Sequence, residues 1–140
     1  MGAAAYCPGE AEEDAEVVRK AWAAVSRRDL PAWLDCMDPE VEAIPFGAAM
    51  EGQVYRGHKG LLRWFEREVM ETYETFEVHP DEIQEVGERL LVFGRWVALG
   101  RESGVELEVM ASWVVEVRDR KIVRWQTFTD RSEALKAAKE

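Results

Sequence analysis

Positive charge is scarce in this 140-residue chain: 18 Lys and Arg stand against 28 Asp and Glu, for a formal net charge of −10. Phosphate recognition needs a stripe of cationic side chains, and none is visible, which excludes a general nucleic-acid binder and argues against an anionic membrane surface as partner. The acids are spread along the chain and read as a solvated, self-repelling surface. Cysteine is also sparse. Cys7 and Cys36 make no CxxC pair and have no neighbouring histidine, so they read as free thiols in a reducing compartment rather than as a redox or metal site. His58 and His79, the two histidines, lie far apart without ligand spacing, so no metal is expected and no cofactor is implied. There is no GxSxG, no phosphate loop and no GxGxxG; the glycines of GQVYRGHKG lack phosphate-loop spacing and mark a turn-rich connector. The opening MGAAAYCPGEAEED has no basic region ahead of an apolar run, and Tyr6 stands where a myristoylation signal needs Ser or Thr. No apolar run approaches a membrane span. These absences lead to an expectation of a cytoplasmic protein with no nucleic-acid or membrane partner.

The residues that are plentiful are hydrophobic, at 47% of the chain, enough for one domain with a real core. Residues 1–10 read as a flexible tail and 11–140 as a single domain. Val17, Val18, Ala21, Trp22, Ala24 and Val25 recur at helical spacing between about Ala11 and Arg28. Asp29 is placed to cap a second, short helix with Pro31 in its first turn and Trp33, Leu34 and Met37 on its buried side. Asp38-Pro39 reads as its end, followed by a strand from Val41 to Phe46. A glycine-rich loop, Gly47 to Gly57, leads to a third helix with Leu61, Leu62, Phe65, Val69 and Tyr73 as its apolar face.

After Phe76 the period changes from 3.6 to 2. Segments near 76–86, 89–100, 104–117 and 121–129 read as strands separated by short turns, an antiparallel meander. In the third of these, Val105, Leu107, Val109, Ala111, Trp113, Val115 and Val117 share one face. The other face is apolar only mid-strand, and with Trp96, Met110, Ser112 and Val114 it suggests a homodimer through the outer sheet. Three helices followed by a sheet that wraps them define an α+β domain.

The order of these elements, carried by VVRKAWAAVSRRDLPAWL, DPEVEAIPFG, VYRGHKGLLRWF, SGVELEV and RDRKIVRWQTFTDRSEAL, resembles the NTF2-like superfamily in its SnoaL-like and ketosteroid-isomerase-like branch. The resemblance covers roughly residues 12–138. It implies a cone-shaped fold: three N-terminal helices on a curved antiparallel sheet, with a deep apolar cavity between them. It does not choose a function, because this fold serves isomerases, epoxide hydrolases, polyketide cyclases and non-catalytic modules.

The catalytic sets that the resemblance implies are missing. Ala21 stands at the steroid-isomerase Tyr position, no carboxylate falls among Ala43, Ile44 and Pro45, and Trp113 stands where the second acid belongs. For epoxide hydrolysis Arg95 matches the Arg, but Val97 and Thr127 replace its two Asp partners. Trp113 and Thr127 likewise replace the His and acid of the cyclase pattern. The leading expectation is therefore a pocket that binds a small, largely apolar molecule. Phe93, Trp113 and Trp125 would supply its walls, and Arg95 and Thr127 its polar contacts. Two alternatives stand beside it: an enzyme of cyclase, isomerase or hydrolase type using Glu42, His58 or Asp130, and a non-catalytic assembly module.

Overall fold

A computed structural model describes residues 8–45 and 52–140. The first helix, α1 (Pro8–Ser26), begins inside the expected tail, at a proline suited to a first helical turn; residues 1–7 lie outside the described residues. Helix α2 (Leu30–Asp35) follows after Arg28, whose φ of 59° reverses the chain. Asp29 caps α2 as expected, its side chain accepting from the Ala32 N–H at 3.2 Å.

Strand β1 (Met37–Ile44) starts four residues earlier than the sequence suggests. Asp38-Pro39 does not end a helix; it sits within the strand, where the pairing with the neighbouring strand shifts register between Met37 and Glu42. Such an irregularity tolerates the missing proline N–H. The first part of the expected glycine-rich loop, residues 47–51, lies outside the described residues. Beyond it come β2 (Tyr55–Arg56) and helix α3 (Gly57–Trp64), which runs on as a π-helical turn over Phe65–Met70.

The meander is present: β3 (Tyr73–Val86), β4 (Arg89–Gly100), β5 (Glu106–Arg118) and β6 (Lys121–Phe128), then α4 (Arg131–Lys139). The sheet order is β2-β1-β6-β5-β4-β3. All pairings are antiparallel except β1 with β6, which run parallel. The architecture is α+β, with the N-terminal helices packed on a curved, unclosed six-stranded sheet. A device for the curvature lies at Gly94 of β4. There β3 carries a bulge between Pro80 and Glu82, and a Cβ on Gly94 would overlap the His79 carbonyl oxygen. The missing side chain lets the bulged strand close in and bend.

Two apolar layers hold this sheet. The concave face packs Val18, Trp22, Leu61, Phe65, Trp96 and Trp113 against one another, among others, into the main core. The convex face has its own cover, which the sequence reading did not assign: Ala134 and Ala138 of α4 lie on Leu91 and Val114, with Phe93 and Phe128 at the edge. Asp130 starts α4, accepting from the Ser132 and Glu133 N–H groups at 2.7 and 3.3 Å. Arg89 closes it by donating to the Ala137 carbonyl at 3.0 Å. No described helix is long and apolar enough to cross a membrane.

Candidate functional site

Between the helices and the concave face lies a cavity of about 170 Å³. All six tryptophans of the chain line it. Trp22 comes from α1, Trp33 from α2, Trp64 from the end of α3, and Trp96, Trp113 and Trp125 from three adjacent strands. Their rings meet mostly edge to face. The centroids of Trp22 and Trp113 lie 5.8 Å apart at 84°, and those of Trp64 and Trp125 lie 5.6 Å apart at 69°. This geometry sets the positive edge of one ring against the negative face of the next. Tyr73, stacked on Phe76 at 5.9 Å, completes the aromatic wall.

Polar groups on the wall are few. Among the described lining residues, Thr127 and Tyr73 carry hydroxyls and Glu68 a carboxylate, and Glu68 is exposed, at the mouth. Glu68 and Val69 both lie on the π-helical turn and line the cavity, and such turns are frequent at functional sites. The Nε1 atoms of Trp22 and Trp125 are fully covered and have no hydrogen-bond partner among the described residues. A buried unpaired donor costs about 1–3 kcal/mol, so this wall is held by packing in spite of its polar atoms. Ser26 ties α1 to the sheet beside the cavity: its hydroxyl donates to the Trp22 carbonyl and accepts from the Val78 N–H, both at 2.8 Å.

Three of the five expected binding residues, Trp113, Trp125 and Thr127, line this cavity. Phe93 and Arg95 do not, and the face assigned to them is corrected. Val92 pairs with Trp113 and Trp96 with Val109, so the even-numbered residues of β4 face the core and the odd-numbered ones face outward. Phe93 instead carries the Arg131 guanidinium 3.9 Å above its ring. Arg95 sits between Asp81 and Glu108, at 3.7 and 3.5 Å.

The same register moves Trp96 from the expected dimer patch into the cavity wall. Val114 of that patch is buried under α4, and Ser112 beside it is buried as well. Of the four residues that suggested a homodimer, α4 covers Val114, while Met110 stays exposed.

The catalytic candidates are engaged elsewhere. Glu42 lies 3.6 Å from Arg56 and 3.9 Å from Arg124. The His58 ring Nε2 is 3.1 Å from the Met37 carbonyl, holding α3 to β1. Asp130 is the cap of α4. None of the three lines the cavity. Half-buried Cys36 has its thiol pushed above the ordinary range, first by burial and then by neighbouring Asp35. It too lies outside the lining. Among the described residues no group of three His, Cys, Asp or Glu side chains is arranged to hold a metal.

The SnoaL-like domain family matches residues 18–125, which span the cavity from α1 to Trp125. The chain belongs to the SnoaL-like family. No curated protein matches its sequence. Among solved structures, an NTF2-like protein of unknown function from Burkholderia pseudomallei is similar at 24% identity and a TM-score of 0.72, over 91% of this chain and 98% of that one. TerC, co-crystallised with polyporic acid, is similar at 22% identity and a TM-score of 0.73, over 91% and 99%. A Mycobacterium tuberculosis protein in complex with estradiol-17β-hemisuccinate is similar at 15% identity and a TM-score of 0.70, over 84% and 94%. At these identities the likeness extends to the fold alone. That fold is the NTF2-like cone the sequence implies.

Proposed function

We propose that this SnoaL-like chain binds a compact, largely apolar small molecule in the tryptophan-walled cavity, without acting on it. The observation that carries the reading is the convergence of all six tryptophans on one cavity of about 170 Å³. An apolar cavity of roughly 150 Å³ accepts a benzene-sized guest, so one ring or its equivalent is the size class. Covering ~150–200 Å² of apolar surface at about 25 cal/mol per Å² supplies about 4–5 kcal/mol before immobilisation costs. The expected affinity is therefore weak, about 0.2 mM to a few mM. Polyporic acid and estradiol-17β-hemisuccinate, each found with a protein of similar fold, support small-molecule binding by this chain.

Binding is favoured over turnover because proton transfer needs a positioned acid or base. Thr127 is no proton acceptor near neutral pH, and Glu68 stands in solvent at the mouth. Glu42, His58 and Asp130, the residues an enzyme reading would use, are bound to structural partners. For an assembly module the outer face offers less apolar surface than its sequence suggests, since α4 covers Leu91 and Val114.

Filling the cavity tests the proposal. Val25 lines it and is buried. Val25→Phe is expected to abolish binding of cyclohexanol, measured by calorimetry, while the circular dichroism spectrum stays that of the wild type. Unchanged binding in a folded Val25→Phe protein would place the ligand elsewhere.

A further inference from the structure

Moving Arg95 to the convex face changes the charge character of the cavity. No Lys, Arg or His is among its described lining residues; the one carboxylate is Glu68. Arg28 and Arg101 approach the same end, but Arg28 donates to the Tyr73 and Glu74 carbonyls, and Arg101 to the Met70 and Tyr73 carbonyls. Neither lines the cavity. The two indole N–H groups that lack partners are fully covered, so they do not offer an anion a donor surface. Among the described lining residues a guest meets mainly aromatic surface, with the Thr127 hydroxyl, the Tyr73 phenol and, at the entrance, the Glu68 carboxylate, in a chain of net charge −10. Ring faces carry negative partial charge and attract a desolvated organic cation. A long-range negative field draws the same class of ligand toward the mouth.

We infer that the cavity selects a compact organic cation of the alkylammonium class, with its alkyl groups against the indoles and Glu68 as counter-ion at the mouth. The inference rests on the proposed binding function and adds the ligand's charge. A carboxylate guest is disfavoured, because it would bury its charge against ring faces and meet Glu68 without a paired cation.

Three isosteric probes separate the readings: choline, its neutral analogue 3,3-dimethyl-1-butanol, and the anion 3,3-dimethylbutanoate. Titrated by calorimetry at low ionic strength, choline is expected to bind about fivefold or more tighter than the alcohol, and the butanoate not at all. Glu68→Gln should weaken choline severalfold more than it weakens the alcohol. If the alcohol binds as well as choline, the cation preference is overturned while the binding function stands. If the choline-to-alcohol ratio survives Glu68→Gln, the role given to Glu68 is overturned. If no probe binds and cyclohexanol also fails, the binding function falls with the inference.

Discussion

Val92 of β4 stands directly opposite Trp113 of β5, so the face that holds the indole also holds Val92. Both are buried in the main core. From that pair the antiparallel register assigns every neighbour: Trp96 joins the cavity wall, while Phe93 and Arg95 turn to the convex face.

Arg95→Ala therefore leaves ligand affinity within about twofold of the wild type. Its two ion pairs are partly exposed, and such pairs are worth about 0–1 kcal/mol. Urea denaturation should register a loss no larger than that. Trp113→Ala in the same assay should cost about 3–5 kcal/mol, as large aromatic deletions from a packed core do. A tenfold loss of affinity in Arg95→Ala would mean that the register of β4 is misassigned.

Gly94→Ala tests how the sheet bends. The added methyl would overlap the His79 carbonyl where β3 is bulged, so strand or carbonyl must shift. Overpacking of this kind costs about 1–3 kcal/mol, which for a domain of this size lowers Tm by about 3–10 °C. A thermal melt unchanged by the substitution would show that the close approach does not shape the sheet.

Asp130→Ala separates a cap from a catalytic acid. Losing the bonds to the Ser132 and Glu133 N–H groups should cost about 1 kcal/mol and fray α4. Hydrogen exchange should quicken first at Ala134 and Ala138, which cover Leu91 and Val114. Cavity binding should be unaffected. Loss of binding at unchanged stability would return Asp130 to the site.

Much of the fold is legible in the sequence, because its punctuation is local. Asp29 announces a helix start by chemistry that depends on the next three residues. The period change near Phe76 announces the sheet. Strand β5 is led in by the clean alternation Val105-Glu106-Leu107-Glu108-Val109, which carries its inward face on to Trp113. Strand β4 defeats the same reasoning. Leu90, Leu91, Val92 and Phe93 are consecutive apolar residues because one face meets the core and the other meets α4. A strand covered on both sides carries no alternation from which to read its parity. Only pairing with β5 decides it, and pairing is a long-range fact. The π-helical turn that carries Glu68 likewise has no local signal in FEREVM.

The central claim, a ligand cavity walled by indoles, is tested most directly by titrating the wild-type protein's tryptophan emission with compact apolar compounds, neutral and cationic. Every tryptophan in the chain lines the cavity, so no distant emitter dilutes the signal. At least one compound of about seven to ten heavy atoms should give a saturable change with a midpoint between about 0.2 mM and a few mM. The change should be absent in Val25→Phe. If no compound gives saturation, or if the filled variant responds as the wild type does, the indoles are only core and the account is contradicted.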